Sequence, residues 1–210
     1  MSQSNIVQEA KEYVLHLLES CKDYPYHNPE HTIGVYERAS YLGLQEELDT
    51  EDLQDIQIAA LFHDTGFTVQ YSKNEYYGAQ LCRKWLESKN YPKDRIEKIE
   101  HIIMATVLFA KPHNLLEEII QDADLDNIGT EKEFFYSQNY LREIRTQGHL
   151  EISDGAFWQF VYSLLNKYQF HTKTAKAERN EQKKKDIAHM EAFLMMIGCE
   201  VPKTNGLAEM

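Results

Sequence analysis

The sequence predicts an all-α protein, a helical bundle with a single domain. Capping residues precede segments in which apolar residues recur every three or four positions, as they do on one face of a helix. No segment alternates apolar and polar residues as a half-buried strand would. The chain has 210 residues and an apolar fraction of 42%, which is enough for one packed core.

Helix boundaries follow from the capping residues, taken in chain order. Asn28 and Pro29 predict an N-cap and a first helical residue, and Asp49 or Thr50 caps the next helix. Gly66 is expected to end that helix. Three further predicted helices cover 73–89, 92–106 and 114 into the stretch 122–126. A fourth runs from the Thr130–Glu133 capping box to about 146, and a fifth is capped by Ser153. The last covers about 174–197, with Gly198 as its stop.

The organisation of these helices predicts one domain over residues 1–200. No linker rich in Pro, Gly or Ser interrupts the chain, and no internal repeat is present. Residues 176–186 are dense in charge and are predicted to form a solvated helix face. Residues 201–210 are expected to form a flexible tail.

Charge and cysteine content exclude several classes of partner. The formal net charge is −12, and such a surface repels phosphate backbones, so a nucleic acid polymer is not expected as a partner. A bound dication can still reverse the field inside a pocket and admit a small anion. No apolar run reaches the ~20 residues that a membrane span needs, and the three cysteines are odd in number and far apart. We therefore expect a cytoplasmic protein with reduced thiols and no membrane partner.

The pair His63-Asp64 stands where packing alone would not place it. Leu53, Ile56 and Ala60 mark the apolar face of a helix, and the next position on that face is His63. Asp64 follows at the C-terminal end of the helix, where the helix dipole disfavours an anion. A metal cation bound by both side chains would account for both features.

Two other segments carry residues suited to the same ion. His31 follows Asn28-Pro29 and is therefore placed in the first turn of a helix. Three acids, Asp122, Asp124 and Asp126, lie within five residues between apolar segments. Such a cluster near a core is costly unless a cation or hydrogen-bond donors neutralise it. Spacing alone does not choose among the three.

The order of these residues, His, then His-Asp, then Asp on successive helices, resembles the HD superfamily of metal-dependent phosphohydrolases. The resemblance covers roughly residues 20–130, and the helices over 130–198 resemble the usual C-terminal completion of an HD-domain helical bundle. It implies that the metal ligands are His31, His63, Asp64 and Asp124.

The segment Tyr26-His27-Asn28 also resembles the helical cyclic-nucleotide phosphodiesterases. That resemblance implies a role for His27 as general acid, and we expect Asp64 both to bind the metal and to accept a proton from water. One metal ion is expected. The residues that could serve a second ion or lie beside the first are His101, His113 and Asp122.

Two imidazoles and two carboxylates form a borderline-hard site that suits Mn²⁺, Mg²⁺, Fe²⁺, Co²⁺ or Ni²⁺. Such an ion lowers the pKa of a bound water and polarises a P–O bond. The expected substrate is a phosphate ester of a nucleotide or another small phosphorylated metabolite, as a monoester or a diester. Lys111, His171, Lys173 and Lys176 are expected to bind its phosphate.

Two other functions stay open at this stage. One is a non-catalytic sensor that binds a nucleotide through an intact metal site. The other is a di-iron oxygenase of the HD type, which requires further histidine ligands. The sequence is also compatible with a homodimer.

Overall fold

The computed structural model describes residues 3–203, with side chains from Ile6 onward. Over this part of the chain all the regular structure is helical and no strand occurs, so the all-α prediction is confirmed. The α-helices are α1 (Gln3–Leu17), α2 (Pro29–Gln45), α3 (Thr50–Phe62), α4 (Asn74–Ser88), α5 (Lys93–Met104), α6 (Leu115–Asp124), α7 (Glu133–Thr146), α8 (Asp154–Lys167) and α9 (Lys173–Met196). Short 3₁₀ helices lie at Leu18–Cys21 and Thr65–Thr68.

The chain divides into two compact units between Leu125 and Asp126. In the first unit α2 packs on α3 and α6, and α5 packs on α3 and α4. In the second unit α8 packs on α9. The boundary lies close to residue 130, where the signature core was expected to end. One domain over residues 1–200 stays a prediction.

Side-chain caps form at most of the predicted helix starts. Asn28 Oδ1 accepts hydrogen bonds from the backbone amides of Glu30 and His31, and Pro29 is the first residue of α2. Because these bonds fix the first turn, they also fix the direction of the His31 side chain. The other side-chain caps are Asp49 on α3, Asn114 on α6, Ser153 on α8 and Thr172 on α9.

Two helix starts differ from the predictions. Helix α1 carries no polar cap among its described residues, and the sequence analysis did not identify it. The predicted capping box is wrong: α7 begins at Glu133 with Lys132 before it, and the Thr130 hydroxyl donates to the carbonyl of Asn127 at 2.7 Å and accepts from the amide of Lys132, not of Glu133. The Glu133 carboxylate accepts a hydrogen bond from Ser137 Oγ at 2.7 Å, within α7.

A buried ion pair fixes α3 to α5. Asp55 is fully buried on α3, and its Oδ1 accepts a hydrogen bond from Arg95 Nε at 2.9 Å. Lys98 Nζ lies 2.6 Å from the other oxygen, Asp55 Oδ2. Both cations come from α5, so the charge of the buried carboxylate is compensated by the helix that packs against it.

Gly66 does not end α3, contrary to the prediction. The helix ends at Phe62, and Gly66 lies in the 3₁₀ helix that follows. A Cβ at Gly66 would lie 1.8 Å from the carbonyl oxygen of Asn74, so only glycine allows α4 to start this close to the turn. On α4, a Cβ at Gly78 would lie 2.9 Å from the carbonyl oxygens of Phe62 and His63. These two glycines let α4 pack directly on the end of α3.

We expect Gly66→Ala to lower the free energy of unfolding by at least about 3 kcal/mol, because the methyl group meets backbone that cannot rotate away. Gly34→Ala is the matched control, since a Cβ at Gly34 on α2 meets nothing within 4 Å. It should leave stability unchanged or raise it by about 1 kcal/mol. Urea denaturation of both variants measures the difference, and equal stabilities would contradict the role given to Gly66.

The charged run on α9 is not entirely solvated, contrary to the prediction. Lys183 and Asp186 are only 5% and 8% exposed, whereas Glu181 lies in water. Both buried residues face the inside of the second unit, because α9 packs there along its length. In the predicted tail, 201–203 form no regular structure and 204–210 lie outside the described residues.

Cys21, Cys82 and Cys199 are all free thiols, as expected. In the part of the chain that the structure describes, no helix combines the length and the apolar character needed to cross a membrane.

Candidate metal centre

Four predicted residues of the first unit come together from three helices. His31 lies in the first turn of α2, and His63 is the C-cap residue that directly follows α3. Asp64 follows His63 directly, and Asp124 is the last residue of α6. The packing of α2 against both α3 and α6 brings these helix ends to one place.

The four side chains converge on a common point. His31 Nε2 lies 3.3 Å from Asp64 Oδ2 and 3.3 Å from Asp124 Oδ1. His63 Nε2 lies 3.0 Å from Asp64 Oδ2 and 3.4 Å from Asp124 Oδ1. One ligand atom from each of His31, His63 and Asp124 lies within 4.8 Å of the others. This spacing is that of donor atoms around one ion.

Hydrogen bonding within the described residues does not satisfy these atoms. His31 Nε2, His63 Nε2 and Asp64 Oδ2 are buried and have no hydrogen-bond partner there. Burying three such atoms without partners is costly, and a cation at their common point would remove the cost. His63 Nδ1 lies 2.8 Å from the carbonyl oxygen of Ala60 and donates to it, so the Nε2 lone pair points to the centre. The residues therefore fit a divalent metal ion.

The pKa values of these four side chains are shifted by their contacts with one another. Burial lowers the pKa of the His31 imidazole, but its contacts with Asp124 and Asp64 outweigh burial and raise that pKa to about 9. The same balance raises the pKa of His63 well above its usual value. Burial raises the pKa of Asp124, yet the two imidazoles bring it down to about 2, and the pKa of Asp64 falls well below its usual range. The carboxylates are thus ionised and ready to bind a cation.

His27 lies beside the four ligands. Its ring stacks on Phe67 with a centroid distance of 4.3 Å, and it meets the ring of His31 edge-on at 5.7 Å. Burial raises the pKa of Asp64, but electrostatic interactions with His63 and then with His27 outweigh burial and lower it. This position suits a group that acts on a bound substrate and does not bind the metal.

Asn74 and Glu75, at the start of α4, are neighbours of the centre that the sequence analysis missed. Asn74 Nδ2 lies 3.5 Å from Asp64 Oδ1, the carboxylate oxygen turned away from the imidazoles. Burial raises the pKa of Glu75, and the charges of Asp64 and Asp124 raise it further. No spacing rule relates these residues to His63-Asp64, because the close approach of α4 at Gly66 brings them here.

The three acids over 122–126 have different surroundings in the structure. Asp124 reaches both imidazoles, whereas Asp122 is fully buried on α6. Asp126 belongs to the second unit and forms a two-pronged ion pair with Arg179, with both N–O distances 2.9 Å. Asp124 is therefore the one of the three that faces the candidate metal centre.

The remaining predicted residues of the first unit lie outside the cluster. His101 on α5 and His113 before α6 are exposed, and neither belongs to the group of ligand atoms found among the described residues. The backbone amide of His113 donates to the Glu117 carboxylate at 2.7 Å. Lys111 is also exposed.

The other predicted phosphate ligands belong to the second unit. Lys176 Nζ donates to the carbonyl of His171 at 2.7 Å, across the first turn of α9. Lys173 is the first residue of α9 and is exposed. A role of these residues in substrate binding stays a prediction.

Comparisons with known proteins agree with this arrangement. The family model of the HD domain matches residues 29–126, a range that contains the four predicted ligands. No curated protein matches the chain. Among solved structures, the Lin1889 protein from Listeria innocua is 27% identical over 100% of both chains, with a TM-score of 0.59.

Two further structures share the fold. A protein from an uncultured Thermotogales bacterium, described as a predicted HD superfamily hydrolase, is 23% identical over 91% of this chain and 92% of its own, with a TM-score of 0.58. Bacillus subtilis YpgQ in complex with ADP is 24% identical over 92% of this chain and 97% of its own, with a TM-score of 0.64.

Proposed function

We propose that this chain, whose residues 29–126 match the HD domain, is a metal-dependent phosphohydrolase. Its proposed substrate is a phosphate ester of a nucleotide or another small phosphorylated metabolite. The observation that carries the proposal is the set of buried, unpartnered donor atoms on His31, His63 and Asp64.

The proposed metal ligands are His31, His63, Asp64 and Asp124, which suit Mn²⁺, Mg²⁺, Fe²⁺, Co²⁺ or Ni²⁺. A divalent ion held by them would supply a water of lowered pKa and would polarise a P–O bond. Four protein ligands leave room for other groups on an octahedral ion, so the substrate and water have access to it.

Two side chains of this protein are proposed to carry out the proton transfers. Asp64 has one oxygen turned to the imidazoles, while Asn74 holds the other, which is proposed to take the proton of the attacking water. His27, stacked on Phe67 beside the ligands, is proposed to donate a proton to the leaving oxygen. General acid catalysis of this kind is worth about 10²- to 10⁴-fold.

Aromatic side chains beside the centre support a nucleotide as the substrate class. Tyr26, His27, Phe67 and Tyr71 form a chain of ring contacts with centroid distances of 4.3–5.0 Å. The rings of Tyr26 and Tyr71 are only partly buried and offer flat faces on which a base can stack, whereas Phe67 is buried beneath His27. The ADP bound to Bacillus subtilis YpgQ, which shares the fold, adds support for this class.

A substrate screen tests the proposal directly. The purified protein, with Mn²⁺ or Mg²⁺, is incubated with p-nitrophenyl phosphate, its bis-ester and a panel of nucleoside mono-, di- and triphosphates and cyclic nucleotides. We expect metal-dependent cleavage of at least one nucleotide, measured by chromatography. Nucleotide binding without cleavage would instead identify a sensor, and oxygen consumption with bound iron would identify an oxygenase.

We expect His27→Ala to lower kcat about 100-fold while the metal content stays that of the native protein. The reason is that His27 lies beside the ligand cluster but contributes no atom to it. Elemental analysis and kcat measured on the same samples separate the two effects. His16→Ala, at an exposed position of α1, is the control and should change neither quantity. Loss of metal from His27→Ala would make His27 a ligand and contradict the assignment.

A further inference from the structure

The second unit contains a groove of about 560 Å³ that the proposed reaction does not use. Its walls come from the segment before α7, the first turn of α7 and the middle of α9. This size is that of a site for a small organic ligand. The residues that line the groove are Thr130, Glu131, Glu133, Phe134, Gln182, Lys185, Asp186, His189, Met190 and Phe193.

Two buried carboxylates form the floor of this groove. Glu133 and Asp186 are only 5% and 8% exposed. Glu133 Oε1 accepts a hydrogen bond from Ser137 at 2.7 Å, and Asp186 Oδ1 accepts one from Gln182 at 2.8 Å. Asp186 Oδ2 is buried and has no hydrogen-bond partner among the described residues. A buried carboxylate oxygen without a donor costs free energy that a ligand with a donor would recover.

Burial outweighs the favourable contacts that these two carboxylates make. Burial raises the pKa of both groups, and the charge of Asp186 raises that of Glu133 further. Three carboxylates line the groove, those of Glu131, Glu133 and Asp186, against the single ammonium group of Lys185. Lys185 and His189, which are exposed at the rim, and a backbone hydrogen bond from Gly129 act to lower the pKa of Asp186, but they do not offset its burial. The groove therefore favours a positively charged occupant.

An aromatic wall stands beside the carboxylates. Phe134 stacks on Trp158 with a centroid distance of 4.6 Å and an interplanar angle of 5°. Phe193 meets both rings edge-on, at 5.3 Å from Phe134 and 5.4 Å from Trp158. Phe134 is 38% exposed, so part of its ring is open to the groove. Aromatic rings next to carboxylates suit a cation carried on an apolar stem.

We propose that this groove binds a small organic cation, an ammonium or guanidinium group on a short aliphatic stem, through Glu133 and Asp186. The cation donates to Asp186 Oδ2, and the stem packs against Phe134 and Phe193. A metal ion fits less well, because the ligand-atom group identified within residues 3–203 contains none of the groove residues.

Calorimetric titration of the full chain with agmatine and n-butylamine tests this proposal. We expect saturable binding of one equivalent of either amine, and no binding of n-butanol, which has the same stem without the charge. Asp186→Asn should weaken amine binding at least about tenfold, since it removes a charge-assisted hydrogen bond. Glu181→Gln is the matched control, because it removes the same charge from an exposed position of α9 and should leave the affinity unchanged.

Thermal unfolding of Asp186→Asn shows whether the variant is folded. Because burial raises the pKa of Asp186, removing its charge should leave the Tm equal to or above that of the native chain. Three results would overturn the proposal: no binding of either amine at millimolar concentration, equal binding of n-butanol, or equal amine affinities of Asp186→Asn and the native chain. A loss of one equivalent of bound Mn²⁺ in Asp186→Asn would also overturn it, since the groove would then be a metal site.

Discussion

Replacing His63 or Asp64 by alanine is expected to abolish both metal binding at the candidate centre and the proposed phosphohydrolase activity. His63 is fully buried and Asp64 is 5% exposed, and each presents an atom that has no other partner among the described residues. Either substitution removes one of the four proposed ligands of the ion. The metal supplies several kcal/mol of transition-state stabilisation, so kcat/KM should fall by about 1,000-fold or more. Elemental analysis and turnover of the same samples measure both effects.

Two controls separate loss of the ion from loss of the fold. Asp64→Asn keeps the shape of the side chain and one oxygen that can accept a hydrogen bond. This variant should therefore fold as the native chain does and still lose the ion. Asp23→Ala removes an exposed carboxylate from the first unit and should change neither metal content nor turnover. If Asp64→Asn and His63→Ala retained a full equivalent of metal, the candidate centre would be wrong.

Much of the fold could be predicted because helix starts are local. Asn28, Asp49, Asn114 and Ser153 cap helices through their own side chains within three residues, so the sequence carries the whole interaction. Helix α1 was not identified from the sequence. Its stability comes from packing on α3, which no local pattern reports.

In the candidate site too, some residues could be identified from local sequence patterns, whereas others are brought there by the packing of distant segments. His63 could be identified because an imidazole interrupted an apolar helical face, and the HD resemblance supplied the order of the other ligands. The choice of Asp124 over Asp122 depends on the packing of α6 against α2, which spacing does not fix. Asn74 and Glu75 could not be found, since the Gly66 contact with α4 brings them to the centre.

The buried charges of α9 were misjudged for a related reason. A run of lysines, glutamates and aspartates over 176–186 has the composition of a solvated face. Within this run Ala177 is the only apolar residue, so the run has no apolar periodicity that would show which side faces the core. Packing then buries Lys183, whose ammonium group donates to the carbonyl of Tyr168, and Asp186, which lines the groove.

Metal affinity is expected to rise steeply between pH 6 and pH 8. In the metal-free protein the pKa of His31 is about 9 and that of His63 is well above its usual value, so both imidazoles carry a proton over this interval. The two carboxylates are ionised, and the cluster is neutral overall. A dication must displace both imidazole protons, which conserves the charge of the cluster. Displacement of two protons makes the affinity rise by up to about 100-fold for each pH unit.

Titrations with Mn²⁺ at pH 6, 7 and 8 measure this slope. Repeating one titration in buffers of different ionisation enthalpy counts the protons released, and we expect about two for each ion. His16→Ala should show the same slope as the native chain, because that imidazole is exposed and lies away from the cluster. An affinity that does not change with pH would show that the imidazoles are already neutral in the metal-free protein.

The same two imidazoles should give the metal-free protein the opposite pH dependence. A raised pKa means that the proton stabilises the folded state, so the stabilisation by His31 is fully present below pH 6.5 and is lost as the pH rises through 9. The Tm of the metal-free protein should therefore fall between pH 7 and pH 9.5, while the increase in Tm on adding Mn²⁺ grows over that range. A single pair of buried nitrogens, taking either protons or an ion, accounts for both trends. If the two curves ran parallel, the metal would be held elsewhere.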